Sequence, residues 1–444
     1  MSVLTKINEV QQQLDFCLNK TQDLGADACE VAIHYGMDTN IDVRLGEVER
    51  LESSQDRGLA LTIYKNQSKA SVSTTDFSKA AIMQLIDKAF SIAKFTEADN
   101  CSGIADKALL AFDYPDLDLY HPWNVDSDAM IEKLRAAEAK GLAVDRKITN
   151  SEGASFSTGN HLYAYANSHG FIGHYATSSH YFGCSLLAES GTEMQRESEY
   201  TLHRVPEQLE NFEEISVTAA NKAINRLSAK SLPTQQSPII FSAQMAKGLL
   251  GNLLSAISGG SQYTESSFLL NAKDTKIFAD TMNIIEDPHL HQGLASSPFD
   301  QDGVRTQKRS LIEAGILQGY LLSHYSAQRL NMQTTGNAGG AHNILVQDHG
   351  VTFNELIKQM HQGFLVTELM GHGVNLITGD YSRGAVGFWI ENGKIAYPVH
   401  EVTIAGNLKD IFLGITTVAN NIDRRGRIQT GALLVDHMTI AGQA

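Results

Sequence analysis

Polar side chains and glycines concentrate in residues 363–387. The polar ones are Glu368, His372, Asp380 and Arg383, which could transfer protons or bind a charged ligand. This stretch holds six glycines, whereas the average of 36 in 444 residues would place about two there. Because glycine costs entropy in regular structure, such density marks tight turns or the close approach of another backbone. Composition alone favours a loop-rich part of a β-structure.

A zinc-dependent hydrolase would need clustered histidines, usually two of them one helical turn apart with a glutamate between them. The chain has 16 histidines, and no two are four residues apart. His169 and His174 are five apart, but they fall in a predicted strand-turn-strand segment, where that offset does not share a face. Glu368 and His372 are four apart, and the glycines beside His372 disfavour a helix. His400-Glu401 begins like the HExxH motif, but Ile404 occupies the position of the second histidine of that motif.

Two other catalytic patterns are also incomplete. The nearest match to the serine nucleophile elbow is Ser258 in the run AISGG, at the end of a predicted helix. The elbow requires a strand-to-helix turn, so a helix stopped by glycine explains this run better. The segment TGDYSRGAVG lacks the GKS/T ending of a phosphate loop, and no helix is predicted after it.

The bulk composition is that of an ordinary globular protein. The 444 residues are 42% hydrophobic and 19% charged, and this length favours two domains. A net charge of −15 argues against nucleic-acid binding. We expect no signal peptide and no membrane span. The four cysteines show no CxxC spacing, which predicts a reducing, cytoplasmic location.

Hydrophobic periodicity predicts an α+β fold. The N-terminal domain, 1–230, should combine an antiparallel sheet with helices, either as one unit or as two sub-parts, 1–96 and 124–230. The polar segment 228–238 contains two prolines and is the predicted domain boundary. The C-terminal domain, 238–444, should be rich in β-structure. The predicted helices are 1–24, 78–94, 126–145, 207–230 and 243–257, and the predicted strands include 28–35, 39–45, 58–64, 69–74 and 147–190.

One turn is predicted with particular force. Asn392-Gly393 separates two apolar runs, and a type I′ hairpin turn needs positive φ at both central residues. A second hairpin is expected at Ala314-Gly315.

The segment around this hairpin also carries a family resemblance. VTELMGHGVNLITGDYSRGA (366–385), followed by GFWIENGKIAYPVHEVTIAGNL (387–408), resembles the C-terminal signature of the PmbA/TldE branch of the TldD/PmbA metalloproteases. Residues 51–76 resemble the family's N-terminal domain, and residues 313–340 resemble the start of its C-terminal domain. The resemblance therefore extends over nearly the whole chain and implies a β-rich C-terminal domain.

The resemblance also implies that a metal site has been lost. In the catalytic TldD branch the metal ligands are on an HExxxH helix, and a cysteine later in the chain is a further ligand. That helix aligns with residues 248–260 of this chain. The corresponding positions here are Gly251, Asn252, Ala256 and, near the cysteine, Arg425. No cysteine follows Cys184, so no shift of register restores the thiolate. No metal and no catalytic residue are therefore expected in this chain.

The expected function is that of a non-metal subunit of a two-chain metallopeptidase. The family implies a TldD-type partner that carries zinc, and unfolded or small peptide substrates, as in peptide-antibiotic maturation or antitoxin degradation. Gly-rich backbone permits an extended peptide to approach closely. The candidates for a peptide groove or an interface are Glu368, Gly371, His372, Gly373, Asp380 and Arg383. A homodimeric peptide-binding or scaffold protein without hydrolytic activity is the alternative, and a self-sufficient hydrolase with an unrecognised site is a weaker one.

Overall fold

The protein has an α+β fold, as the periodicity predicted. A computed structural model describes residues 2–442. Within these residues, no helix combines the length and the apolar character needed to cross a membrane.

One antiparallel sheet organises the first 230 residues. Its spatial order is β3-β2-β1-β4-β5-β6, so residues 1–96 and 124–230 contribute strands to the same sheet. The strands are β1 (Ala28–Arg44), β2 (Glu47–Lys65), β3 (Ser68–Thr74), β4 (Ile148–Asn167), β5 (Ile172–Ser190) and β6 (Glu193–His203). The helices are α1 (Ile7–Asp23), α2 (Lys79–Ala93), α3 (Ser127–Leu142) and α4 (Phe212–Asn225).

Two helix pairs cover different regions of this sheet. Helices α1 and α2 pack over one apolar cluster, which includes Leu14 and Ile86. Helices α3 and α4 pack over a second cluster, which includes Leu134 and Ala219. Asp126 caps α3 by accepting the backbone N–H groups of residues 128 and 129, as expected for an N-cap carboxylate.

Two sequence predictions need correction in this part. The predicted separate strands 28–35 and 39–45 form one strand, β1, because it pairs along its length with both β2 and β4. The helix predicted over 207–230 is confirmed but shorter: a 3₁₀ turn at Pro206–Gln208 precedes α4, and the chain leaves the helix after Asn225.

The C-terminal part is rich in β-structure and contains two sheets around one large apolar core. The smaller sheet has the order β10-β9-β8-β11-β16, and the larger one β14-β13-β12-β7-β17-β15. An additional pairing of β14 with β17 closes five strands of the larger sheet into a ring. The strands of the smaller sheet are β8 (Ile284–Asp287), β9 (Arg309–Glu313), β10 (Ile316–Leu317), β11 (Asn343–Val346) and β16 (Ile428–Gln429).

The remaining elements complete this part. The strands of the larger sheet are β7 (Gln235–Phe241), β12 (Gly363–Met370), β13 (Asp380–Glu391), β14 (Lys394–Asn407), β15 (Ile415–Val418) and β17 (Leu433–Ala441). The helices are α5 (Ala243–Ala256), α6 (Gly259–Tyr263), α7 (His324–Arg329), α8 (Phe353–Met360) and α9 (Leu408–Leu413). The hairpin prediction is confirmed, since Asn392 and Gly393 have φ of 52° and 68° between β13 and β14.

Candidate functional site: an interdomain groove

A groove of about 950 Å³ lies between the N-terminal and C-terminal parts. One wall is α4 with the adjacent strand β6, and the other is the sheet face of β12–β14 with the loop 421–425. Apolar side chains from both parts line it: Ile215, Phe353, Leu365, Phe388, Ile395 and Ile422. The groove can therefore hold an apolar side chain of a ligand that contacts both parts at once.

The polar centre of this groove is Arg425. Its Nη1 donates to Glu199 on β6, and its Nε donates to Asp423 Oδ1 at 3.0 Å. The guanidinium carbon also lies 4.4 Å from the centre of the Tyr200 ring, a cation–π distance. One cation from the C-terminal part therefore joins two carboxylates, one from each part.

Two lysines extend this network. Lys247 Nζ on α5 lies 2.9 Å from Asp423 Oδ2 and donates to the backbone carbonyl of Arg425 at 2.9 Å. Lys222 Nζ on α4 lies 2.6 Å from Glu199 Oε2. Each carboxylate thus has two cationic partners, and the network contains more positive than negative charge.

Burial and ion pairing shift the pKa values of these groups in opposite directions. Burial alone would raise the pKa of Glu199, but the hydrogen bonds from Lys222 and Arg425 lower it below its usual value. The same balance lowers the pKa of Asp423, where Arg425 and Lys247 outweigh burial. Burial would lower the pKa of Arg425, yet Asp423 and Glu199 raise it above its usual value. All three groups are therefore charged at neutral pH.

A second ion pair bridges the two parts nearby. Arg226, just beyond α4, is buried, and its Nη1 donates to Glu197 Oε1 at 2.7 Å and to Glu368 on β12. Its Nε has no hydrogen-bond partner among the described residues. This arginine therefore links α4 to the strand that leads into the glycine-rich segment.

The residues that the resemblance places at the metal-ligand positions have side chains that do not fit zinc. Gly251 and Ala256 carry no donor atom, and Ala256 is fully buried in the C-terminal core. The Asn252 amide donates back to the helix carbonyls of Gly248 and Leu249 at 3.2 and 3.1 Å. Arg425 is a cation already paired with two carboxylates. Zinc requires anionic or neutral nitrogen, sulfur or oxygen donors, so these residues do not fit it.

Other possible metal-ligating side chains are also dispersed in the part of the chain that the structure describes. Among residues 2–442, no three His, Cys, Asp or Glu side chains are grouped so that they could hold a metal ion. His169 instead donates a hydrogen bond from Nδ1 to the Ala105 carbonyl oxygen, at 3.0 Å. The Ser258 hydroxyl accepts the backbone N–H of Ser261 and caps α6, which is a structural role.

The glycine-rich segment lies mostly beside the groove. Glu368 reaches Arg226 as described, while Gly371 and His372 are exposed in the loop between β12 and β13. A Cβ on Gly373 would lie 1.9 Å from the carbonyl oxygen of Ser382, so glycine is required there by a close backbone approach.

Two further candidates stabilise the start of β13. Asp380 Oδ2 accepts the Thr378 hydroxyl at 2.6 Å, and its Oδ1 lies 3.3 Å from Asn407 Nδ2. Arg383 donates from Nη2 to the Leu369 carbonyl at 3.4 Å. A role of this segment in peptide binding or in an interface remains a prediction.

Sequence reasoning missed most of the groove. No sequence motif contains the charged residues of the groove, because the network joins residues up to 226 positions apart. The residues that were missed are Glu199, Lys222, Arg226, Lys247 and Asp423. One partial signal existed: Glu197 and Glu199 are two apart on β6, so they point to the same face.

Comparison with known proteins identifies the class of protein. Three successive domains of the chain match the PmbA/TldA metallopeptidases: domain 1 over residues 29–93, the central domain over 120–227 and the C-terminal domain over 234–442. Metalloprotease PmbA of Escherichia coli O157:H7 is 44% identical over 446 residues, covering 100% of this chain and 99% of the relative. A PmbA homologue from Haemophilus influenzae is 43% identical and covers 98% and 96%.

Solved structures share the fold. A Bacteroides thetaiotaomicron protein, named as a proposed modulator of DNA gyrase, superposes with a TM-score of 0.94 at 23% identity, covering 99% of this chain and 100% of that one. TldE from Thermococcus kodakarensis superposes with a TM-score of 0.83 at 20% identity, covering 97% and 100%.

The chain therefore belongs to the PmbA/TldD family, whose members are named metalloproteases. Within that family it is a PmbA/TldE-type protein, as the full-length identity to PmbA proteins indicates.

Proposed function

We propose that this chain is the non-catalytic subunit of a two-chain metallopeptidase that cleaves unfolded or small peptides. A TldD-type partner subunit supplies the zinc ion, which activates water and polarises the scissile carbonyl when it is bound there. This chain supplies part of the peptide path. Its four cysteines carry no disulfide, in keeping with a cytoplasmic location for the complex.

One observation carries the proposal. Near the place where the family resemblance puts the metal-binding cysteine, Arg425 is held by Glu199 and Asp423. A cation locked by two carboxylates occupies a place where a metal-binding chain needs an anionic donor. The family membership is retained over the whole length while the donor set is replaced, which supports a role that depends on a partner.

The groove has the features of a peptide path. It is lined by apolar side chains and by α4, whose Thr218 and Asn225 are exposed toward it. The N-terminal half of β14 lies along it, with Ile395 to Pro398 in its lining. A strand beside a groove is a common docking place for an extended peptide, and the groove walls exclude water from its apolar side chains.

Reconstitution tests the proposal. This chain is mixed with its TldD-type counterpart, and digestion of an unfolded peptide is compared with that by the counterpart alone. We expect cleavage to require both chains. Equal cleavage by the counterpart alone would show that the subunit role is wrong.

A matched pair of variants tests the groove itself. Thr218→Trp places a large side chain in the groove, whereas Asn221→Trp places one on the same helix outside the groove lining. We expect the first to reduce peptide cleavage by the reconstituted complex about tenfold, and the second to leave it unchanged. Co-purification of both variants with the counterpart checks that complex formation is intact.

Two alternative functions predict different experimental results. A homodimeric peptide-binding or scaffold protein would form no stable complex with the counterpart, and would bind peptide alone. A self-sufficient hydrolase would cleave peptide in isolation and lose that activity on one point substitution. Metal analysis and a peptidase assay of the isolated chain separate this third function from the others.

A further inference from the structure

The strand β2 has a long open edge. It pairs with β1 over its whole length, but β3 pairs with its outer side only from Leu59 to Lys65. Residues 47–58 therefore have no strand on their outer side among the described residues. Every residue from 47 to 57 is exposed on both faces of the sheet. This is a ladder of unpaired backbone N–H and C=O groups.

Several of the usual protections of an edge strand are missing here, although charged side chains are present. Natural edges are kept short, covered, charged, or interrupted by proline and bulges. Residues 47–58 contain no proline, and from Arg50 to Gly58 the register with β1 is regular; the one irregularity falls between Val48 and Arg50. Leu51, at 54% exposure, is an apolar side chain on this edge. Such an edge is a template for pairing with another strand.

The charges on the edge complement each other about its midpoint. When two copies of the strand run antiparallel with Ser53 opposite Ser53, Arg50 of each copy lies opposite Asp56 of the other. In the same register Glu52 lies opposite Ser54 and Leu51 opposite Gln55, while Glu49 is the extra residue of the irregularity and has no regular partner. No like charges face each other. Directly opposed charges of opposite sign stabilise antiparallel pairs, and like charges destabilise them.

The present partners of these charges are exposed and exchangeable. Arg50 pairs with Glu52 on its own strand, and their side chains are 50% and 49% exposed. Asp56 Oδ2 lies 2.9 Å from His34 Nε2, again with both side chains near half-exposed. Exposed ion pairs contribute little to stability, so re-pairing across a second copy costs little.

We propose that the outer edge of β2 pairs antiparallel with β2 of a second copy of this chain, about a two-fold axis at Ser53. The pairing joins the two six-stranded sheets into one and satisfies the open backbone groups. It involves none of the groove residues, so it is independent of the proposed subunit function.

Two charge reversals test this register. Arg50→Asp places a second carboxylate opposite Asp56, and Asp56→Arg places a second guanidinium opposite Arg50, twice in each dimer. We expect each variant alone to raise the dimer dissociation constant about tenfold or more, measured by light scattering across a concentration series. Mixed together, the two variants should form a 1:1 heterodimer, because both 50–56 pairs between unlike copies then join an aspartate to an arginine. The double variant R50D/D56R restores both opposite-charge pairs and should dimerise like the unaltered chain.

The control is an exposed ion pair elsewhere. Lys276→Asp and Asp280→Lys reverse charges in a pair whose side chains are 50% and 77% exposed. These variants should leave dimerisation unchanged, and thermal unfolding should show that all variants retain the fold.

Several results would overturn the proposal. They are a monomeric unaltered chain at high concentration, dimerisation unaffected by Asp56→Arg, and a double variant that dimerises no better than either single one. A further contrary result is an edge that pairs with the TldD-type counterpart only, recognised by Arg50→Asp weakening that complex while the isolated chain stays monomeric.

Discussion

Two of the contacts between the N-terminal sheet with its helices and the C-terminal part treat buried charge in opposite ways. The first, the paired contact, consists of Glu199, Arg425, Asp423 and Lys247 and lies at the groove. The second, the acidic contact, consists of Glu30 on β1 with Asp300 and Asp302 from the C-terminal part.

The acidic contact relies on neutral donors. Glu30 accepts the hydroxyls of Tyr64 and Tyr165 at 2.9 and 2.8 Å. Asp302 Oδ2 accepts the backbone N–H of His324 at 2.8 Å, and Asp300 accepts three backbone N–H groups. None of the three makes an ion pair within the described residues.

The difference shows what pairing does to buried carboxylates. Burial raises the pKa of Glu30, and the nearby charge of Asp302 raises it further. Burial also raises the pKa of Asp302, and burial together with Asp302 raises that of Asp300. In the paired contact the cations outweigh burial, and the carboxylate pKa values fall instead. Burial therefore has opposite consequences, depending on whether cations are near.

These signs predict opposite responses to pH. The paired contact contributes stability above the unfolded pKa values of about 4, and this is lost as pH falls through the lowered folded values. The acidic contact contributes its full stability at pH values below the unfolded-state pKa of these carboxyl groups. This contribution is lost as the pH rises through their raised folded-state pKa values. Acid should thus loosen the groove and tighten the acidic contact.

The largest expected effect comes from breaking the paired contact. Arg425→Ala leaves Glu199 and Asp423, whose side chains are 10% and 6% exposed, with one cation each. We expect the free energy of unfolding to fall by about 3 kcal/mol, as for other broken buried pairs. Denaturant unfolding measures this. Arg424→Ala, the exposed neighbour, is the control and should change it by less than about 0.5 kcal/mol.

Neutralising the acidic contact should do the reverse. Glu30→Gln removes one buried charge and keeps both tyrosine contacts, because a hydroxyl can donate or accept. At pH 8 we expect the free energy of unfolding to rise by about 1–2 kcal/mol. The gain should disappear near pH 4, where Glu30 is largely protonated in the folded state. A gain that is the same at both pH values would contradict a raised pKa for Glu30.

A smaller effect is expected on the helix that brings Lys247 to the paired contact. A Cβ on Gly251 meets no atom within 4 Å, so Gly251→Ala adds a methyl group in open space. We expect stability to rise by about 0.8 kcal/mol from helix propensity alone. Thermal unfolding tests this, and a loss of stability would mean that the space beside this position is occupied.

The smallest effect is expected at the rim of the paired contact. Lys222 is 38% exposed, and Glu199 keeps Arg425 when the lysine is removed. Lys222→Ala should therefore lower the free energy of unfolding by only about 0.5 kcal/mol. A loss as large as that of Arg425→Ala would show that the two cations act as one unit.

Local features of the fold were predictable from the sequence. The Asn392-Gly393 hairpin and the helices at 243–257 and 126–145 were predicted, and the structure has all three with small differences in their bounds. Each depends on neighbours within a few residues: positive φ at a turn, one apolar helix face, or a carboxylate beside free N–H groups. The predicted break in β1 was wrong, because pairing with two neighbouring strands overrides a polar interruption.

The sequence by itself determined the family and the α+β class, since residue types and local spacing carry that information. The tertiary structure alone decided that Arg425 meets Glu199, and that Glu30 faces Asp302 across the two parts. Residues more than 200 positions apart obey no local periodicity, so only the packing of one part on the other determines which charges meet. The pKa values and the proposed peptide path follow from that packing.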